Sequence, residues 1–215
     1  MQNLTTKHLL HRFFTENYPV ASANVVEIRA GERALEICQR ITSKDMTKKL
    51  FLMRHAQAES RSGASDHERK LSPWGRSQAK EAGLILLEEG IEMVMCSDSA
   101  RTRETLSRLA LPGEPHVEYM RALYLCSVGT LRQRISEVPD DINSLLVVAH
   151  APAIPRLAAE LSWSKDSRAS DTLTCNYLTA TFTQFNVAGS WSQFVEPSAE
   201  ITELVGTQQP STKPL

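Results

Sequence analysis

Two histidines and two arginines carry the chemistry legible in this chain: Arg54 beside His55, then Arg101, then His150. Arginine presents a planar fork of donors that matches the oxygens of a phosphoryl group, and it stays charged at any working pH. A neutral imidazole can act as a nucleophile, and a protonated one can donate to a phosphoryl oxygen. Phosphoryl transfer asks for positioning and charge neutralisation more than for covalent elaboration. Two histidines and two arginines converging on one point could supply both without a metal ion.

Each of these residues ends or closely follows a short apolar run. Leu50-Phe51-Leu52-Met53 leads into Arg54-His55, Ile91 to Cys96 leads into Ser97 and Arg101, and Leu145 to Ala149 leads into His150. Runs this short suit buried strands. Amphipathic stretches lie between them. Ser72 and Pro73 suit an N-cap and a first turn, with Ala79, Ala82, Gly83, Leu86 and Leu87 following at helical spacing and Gly90 as the stop. Thr102 to Leu109 predicts a short helix ended by Pro112-Gly113, and His116 to Met120 a short strand. Ser127 caps a helix carrying Val128, Leu131 and Ile135, and Ile154, Leu157, Ala158 and Leu161 fit another. Leu173 to Phe185, rich in Thr, Tyr and Phe, reads as strand, with Trp191 to Val195 as its partner. Strands alternating with helices predict an α/β fold, a three-layer sandwich with a mostly parallel central sheet flanked by helices. Such sheets place their sites beyond the carboxyl ends of the strands, which is where the four residues fall.

The 215 residues suit one domain with an appendage better than two full domains. The boundaries predicted are an appendage over 1–45, a domain over 46–200 and a disordered tail over 201–215. Either the appendage docks on the domain, or Met46 is the natural start; Glu16, Glu27, Glu32 and Glu36 make it too acidic for a transit peptide. With 24 basic and 25 acidic side chains the net charge is -1, so no global attraction to nucleic acid or to an anionic membrane is expected. Cys38, Cys96, Cys126 and Cys175 are scattered, and there is no membrane span or secretory pattern, so a reducing, cytoplasmic compartment is the expectation.

Leu50-Phe51-Leu52-Met53-Arg54-His55-Ala56 resembles the opening signature of the histidine phosphatase superfamily, which includes the phosphoglycerate mutases; the usual Arg-His-Gly has Ala56 in place of glycine. Asp66-His67-Glu68-Arg69-Lys70-Leu71-Ser72-Pro73-Trp74-Gly75 is similar to the segment that leads into the first helix of SixA-type phosphohistidine phosphatases. Cys96-Ser97-Asp98-Ser99-Ala100-Arg101-Thr102-Arg103-Glu104-Thr105 resembles the Ser-Pro-x-x-Arg-Ala-x-x-Thr element, with Asp98 in place of proline. Val147-Val148-Ala149-His150 is similar to the second-histidine motif. Their order over residues 46–196 is more specific than any one of them.

The resemblance implies a phosphoglycerate mutase-like fold and a phosphatase that uses His55 as nucleophile. Arg54, Arg69, Arg101 and His150 would hold the phosphoryl oxygens, and Ser97 would add a contact or set the loop. It implies no metal and no cofactor, and a phosphorylated protein or a small phosphorylated molecule as partner; it does not give the oligomeric state. The glutamate that many members place between the second and third motif strands is missing from Arg121-Ala122-Leu123-Tyr124-Leu125-Cys126. Asp66 is the expected proton donor in its place, with Glu68 behind it. Such a lack suits a substrate whose leaving group departs easily, such as a phosphorylated imidazole.

Rival readings stand beside these. Arg103 is a close rival of Arg101 and could equally form a helix-surface ion pair, but register with the family element favours Arg101. His67 and His116 read as solvated loop residues. A zinc site from His55, His67 and His150 is conceivable, but no H-x-x-x-H pair or nearby cysteine supports it. At the level of function, a phosphomutase and a phosphate-binding module with little turnover are the alternatives.

Overall fold

The computed structural model describes residues 47–60, 65–162, 167–195 and 201–210. The chain divides after Asp45. The predicted appendage over 1–45 lies outside the described residues, and every described element belongs to the second unit, Met46–Leu215.

Among the described residues six strands form one sheet: β1 (Lys48–Arg54), β2 (Met93–Ser97), β3 (His116–Met120), β4 (Ser144–Ala149), β5 (Phe182–Val187) and β6 (Thr202–Gln208), in the order β3-β2-β4-β1-β5-β6. The pairs among β3, β2, β4 and β1 are parallel, whereas β5 runs antiparallel to both β1 and β6. β4 lies between β1 and β2, so the chain reverses its lateral direction there. At such a reversal the loops beyond the strand ends splay apart and leave a crevice.

Among the described residues five α-helices cover the sheet: α1 (Pro73–Leu86), α2 (Ala100–Leu109), α3 (Val128–Ser136), α4 (Ala153–Ser162) and α5 (Ser167–Cys175). The strand side chains alternate between two cores, as a period of two requires. Phe51, Met53, Val94, Cys96, Leu146 and Val148 pack with Ala79, Ala82 and Leu86 of α1 and with Leu106 and Leu109 of α2. Leu50, Leu52, Met93, Met95, Leu145 and Val147 face the other way, against Leu131 and Ile135 of α3, Leu157 and Ala158 of α4 and Leu173 of α5. The central strands are apolar throughout because both faces are covered, which gives the expected three layers. Full burial of each such side chain contributes about 1.5–3 kcal/mol. Among the described residues no helix is long and apolar enough to cross a membrane.

Local signals set the start of α1. The Ser72 hydroxyl accepts from the Gly75 amide at 3.0 Å, and Pro73 opens the first turn. Gly75 is required by proximity: a Cβ there would stand 1.9 Å from the Gln57 carbonyl oxygen. The missing side chain lets the loop after β1 lie directly on α1.

Three expectations fail beyond α4. Leu173 to Phe185 is not one strand: α5 runs to Cys175 and β5 begins at Phe182. The Thr174 hydroxyl donates back to the Ser170 carbonyl at 3.0 Å, and the Asn176 amide donates to Thr172 at 2.9 Å. Burial of Ser170 and Leu173 three residues apart outweighs the strand preference of the threonines. Trp191 to Val195 is a 3-10 helix, not a strand. Its period of three buries Trp191 and Phe194 together, and the indole donates to the Ile142 carbonyl at 2.8 Å. The partner of β5 is instead β6, inside the stretch expected to be a disordered tail. Thr202 is buried and donates to the Leu161 carbonyl, so pairing and one inward side chain order a polar segment.

Candidate active site

The carboxyl ends of β1, β2 and β4 lie together. Arg54 pairs with Ala149 and Cys96 with Val148, which brings His55, Ser97 and His150 to one edge. The His55 and His150 rings meet edge to face, with centroids 5.1 Å apart. α2 starts at the same edge and inserts Arg101 between them.

Hydrogen bonds assign the ring protons. His55 Nδ1 lies 2.7 Å from the Ala56 carbonyl, which can only accept, so Nδ1 carries the proton. Its Nε2 accepts from Arg101 Nε at 3.2 Å, so this nitrogen is unprotonated and its lone pair is directed at the guanidinium. His150 has the opposite tautomer. Its Nδ1 accepts from Arg101 Nη2 at 3.3 Å, so Nε2 carries the proton and donates to Ser97 Oγ at 2.8 Å. Burial, first of all, lowers the His55 pKa to about 4, and nearby Arg101, Arg54 and Arg69 push in the same direction. Burial and then the charges of His55 and Arg101 lower that of His150 to about 3. Both rings are therefore neutral at pH 7.

The arginines ring this pair. Arg101 is 2% exposed. It reaches the two histidines through Nε and Nη2, and Asp66 through Nη1 and Nη2. Arg54 Nη1 donates to the Tyr177 carbonyl at 2.7 Å. Arg69 Nη2 lies 3.4 Å from Asp66 Oδ1. The Nε groups of Arg54 and Arg69 are buried without a hydrogen-bond partner among the described residues. A buried unpaired donor is costly, and two of them beside a histidine pair suit an anion. Among the described residues no cluster of His, Cys, Asp and Glu has the makings of a metal site. His67 pairs with Asp98 and so takes no part in a cluster with His55 and His150.

Thus Arg54, His55, Asp66, Arg69, Ser97, Arg101 and His150 gather at one place. Arg103 does not join them: its guanidinium stacks 3.9 Å from the Tyr119 ring, and its Nε donates to the Asp98 carbonyl. Two residues turn the helix by about 200°, which takes Arg103 from the buried face to the exposed one. His67 is not simply solvated: Nε2 lies 2.7 Å from Asp98 Oδ1, and the ring packs edge-on against Tyr124. His116 is the solvated one, its side chain 68% exposed. Asp66 differs most from its expected part. The Tyr124 hydroxyl, above all, and the neighbouring Arg101 and Arg69 hold its pKa below the usual carboxylate value. At neutral pH it is a carboxylate with no proton to give.

Three contributors were not legible in the sequence. The Tyr177 carbonyl anchors Arg54. Thr105 Oγ1 accepts from the Ala56 amide and donates to the Arg101 carbonyl, tying the end of β1 to α2. Tyr124 touches Asp66 and meets the His150 ring edge to face. A main-chain carbonyl leaves no mark in sequence. Thr105 falls within the third motif, and Tyr124 within the segment that lacks the expected glutamate.

The chain matches, over residues 50–150, the family described as histidine phosphatase superfamily (branch 1). It is 33% identical over 156 residues to an uncharacterized protein of Mycobacterium leprae, covering 69% of this chain and 96% of that one. An uncharacterized protein of Mycobacterium tuberculosis is 32% identical over 162 residues, covering 74% and 99%. A solved structure named provisionally as the phosphohistidine phosphatase SixA of Nakamurella multipartitia superposes with a TM-score of 0.66 at 33% identity, over 76% of this chain and 96% of that one. The protein histidine phosphatase SixA complexed with tungstate shares the fold, with a TM-score of 0.60 at 22% identity over 75% and 97%.

Proposed function

This chain belongs to the histidine phosphatase superfamily, and from that premise we propose that it is a phosphatase acting through a phosphohistidine on Nε2 of His55. One observation carries the reading: the proton on Nδ1 is tied to a carbonyl, so Nε2 of His55 is left unprotonated, with its lone pair at the Arg101 fork that would receive a phosphoryl group. Nε2 attacks phosphorus in line, and the bond from phosphorus to the leaving atom breaks as the new P–N bond forms. Arg54, Arg69 and Arg101 neutralise the three equatorial oxygens, and His150 and Ser97 complete the cradle. Donors fixed before the charge develops supply most of the rate. Water then attacks phosphorus, the P–Nε2 bond breaks, and orthophosphate leaves carrying the protons of the water.

The substrate class that fits best is phosphohistidine on a protein, with small phosphorylated molecules next. A phosphorylated imidazole takes a proton on its other ring nitrogen from solvent and departs neutral, so it needs no carboxylic acid from the enzyme. The ionised state of Asp66 accords with that choice. No metal is invoked, because the guanidinium groups supply the positive charge. The Nakamurella multipartitia structure bears the name of that same activity. The same lack of an acid favours a second reading, a phosphate-binding module with little turnover. Incubation with a phosphodonor separates the two. Turnover should be accompanied by an acid-labile, alkali-stable phosphoenzyme. Binding of orthophosphate without any hydrolysis, or normal turnover by His55→Ala, would sink the phosphatase reading.

A further inference from the structure

We infer that Asp66 and Tyr124 are positioning residues, forming a buttress behind Arg101 that aims its guanidinium at the histidine pair. The inference rests on the proposed role of that pair in holding phosphate.

The guanidinium of Arg101 has two working edges. The edge formed by Nε and Nη2 faces the ring nitrogens of His55 and His150, at 3.2 and 3.3 Å. The edge formed by Nη1 and Nη2 faces Asp66, through its main-chain carbonyl and its Oδ2, the latter at 3.0 Å. A planar fork held along one edge has little freedom to swing along the other. Asp66 therefore holds the rear of the guanidinium while the front stays turned to where phosphoryl oxygens would sit.

Asp66 is itself held. The Tyr124 hydroxyl donates to the same Oδ2 at 2.7 Å. The Tyr124 ring meets His150 edge to face at 5.4 Å and lies 5.6 Å from the Arg101 guanidinium carbon. One aromatic side chain thus touches three members of the site. It comes from the segment after β3, which lacks the expected glutamate. Instead of a proton donor, that position supplies a hydroxyl that keeps Asp66 charged and in place.

Three roles for Asp66 make different forecasts. A proton donor matters most when the leaving group is poor. A resident anion competing with phosphate would weaken phosphate binding. A buttress strengthens phosphate binding and acts equally on good and poor leaving groups. Asp66→Asn and Tyr124→Phe are therefore compared with the wild type on p-nitrophenyl phosphate and phenyl phosphate, and for orthophosphate binding by calorimetry. We expect Asp66→Asn to lower kcat/KM about tenfold or more on both esters alike, as removal of a group that orients a ligand-contacting residue does. Orthophosphate should bind more weakly in the same variant. Tyr124→Phe, which keeps the ring and loses only the hydroxyl, should move both readouts in the same direction by about threefold. A much larger loss on phenyl phosphate, tighter orthophosphate, or a lowered melting temperature with unchanged binding and rates would each overturn the inference. Failure of the wild type to hydrolyse either ester and phosphohistidine alike sinks the phosphatase reading instead, and the calorimetry still tests the buttress.

Discussion

Both ends of the parallel strands bury a cation, and the two are treated differently. At the amino end of β1, Lys48 is 5% exposed. Its ammonium donates to the carbonyls of Asp140 and Ile142 and lies 5.7 Å from the Trp191 ring centroid. Asp140 in turn accepts from Ser190 and from the Trp191 amide. There the buried charge turns inward and closes a loop against the core. At the carboxyl end, Arg101 is equally buried but divides its donors between a buttress and two neutral imidazoles, and Arg54 and Arg69 each leave a buried Nε unpaired among the described residues. A cation whose donors are satisfied within the fold stabilises; cations that keep buried donors unpaired are organised for an anion that the fold does not supply.

The contrast is sharpest in the nucleophile. His55→Ala should lower kcat on phosphohistidine by about 10⁴-fold or more, since removal of a covalent nucleophile abolishes the route rather than slowing it. Its urea midpoint should stay near wild type. A midpoint that collapses with the rate would mean that His55 belongs with Lys48 as a structural group.

Trp191→Ala tests the opposite end. The indole is fully buried, and loss of a large buried aromatic costs about 3–5 kcal/mol. Denaturant unfolding should register that loss while orthophosphate affinity of the remaining folded protein is unchanged. A matching loss of affinity would show that the two ends are not independent.

Acid should weaken the site end selectively. The folded pKa values of His55 and His150, about 4 and about 3, lie below the ordinary 6.5. The unfolded chain therefore takes up protons first as pH falls through 6.5, and stability is lost between that pH and about 3 to 4. For His55 the span corresponds to about 3 kcal/mol at most. Proton NMR should show neither ring titrating between pH 8 and 5 in the free protein. Orthophosphate should raise both pKa values by neutralising the surrounding arginines. A ring that titrates near 6.5 in the free protein would contradict the neutral pair.

The smallest effect is expected at Lys48. Lys48→Ala should cost about 2 kcal/mol, through lost packing and a carbonyl left unpaired at Asp140. It should leave kcat/KM unaltered, which steady-state kinetics beside unfolding curves would check.

Legibility followed the range of the interactions. β1, β2 and β4 were readable because burial on both faces demands continuous apolar runs, and α1 because Ser72 and Pro73 act on their own first turn. The end of the domain was not. α5 carries threonines that favour strand in isolation, and β6 is polar enough to pass for a tail; both depend on partners far away in sequence. The same division runs through the site. Residue types at strand ends marked His55, Arg101 and His150, yet Asp66 was expected as an acid, because its partner Tyr124 lies 58 positions along the chain.

By itself the sequence determined the layers, the edge on which chemistry is placed and the residue types brought there, since periodicity and local capping act within a few residues. Only the tertiary structure decided which tautomer each histidine adopts and that Tyr124 and Arg101 hold Asp66 as a carboxylate. Proton positions and charge states are set by burial and by neighbours in space, and those neighbours are fixed only when β1, β2, β4 and α2 close on one another.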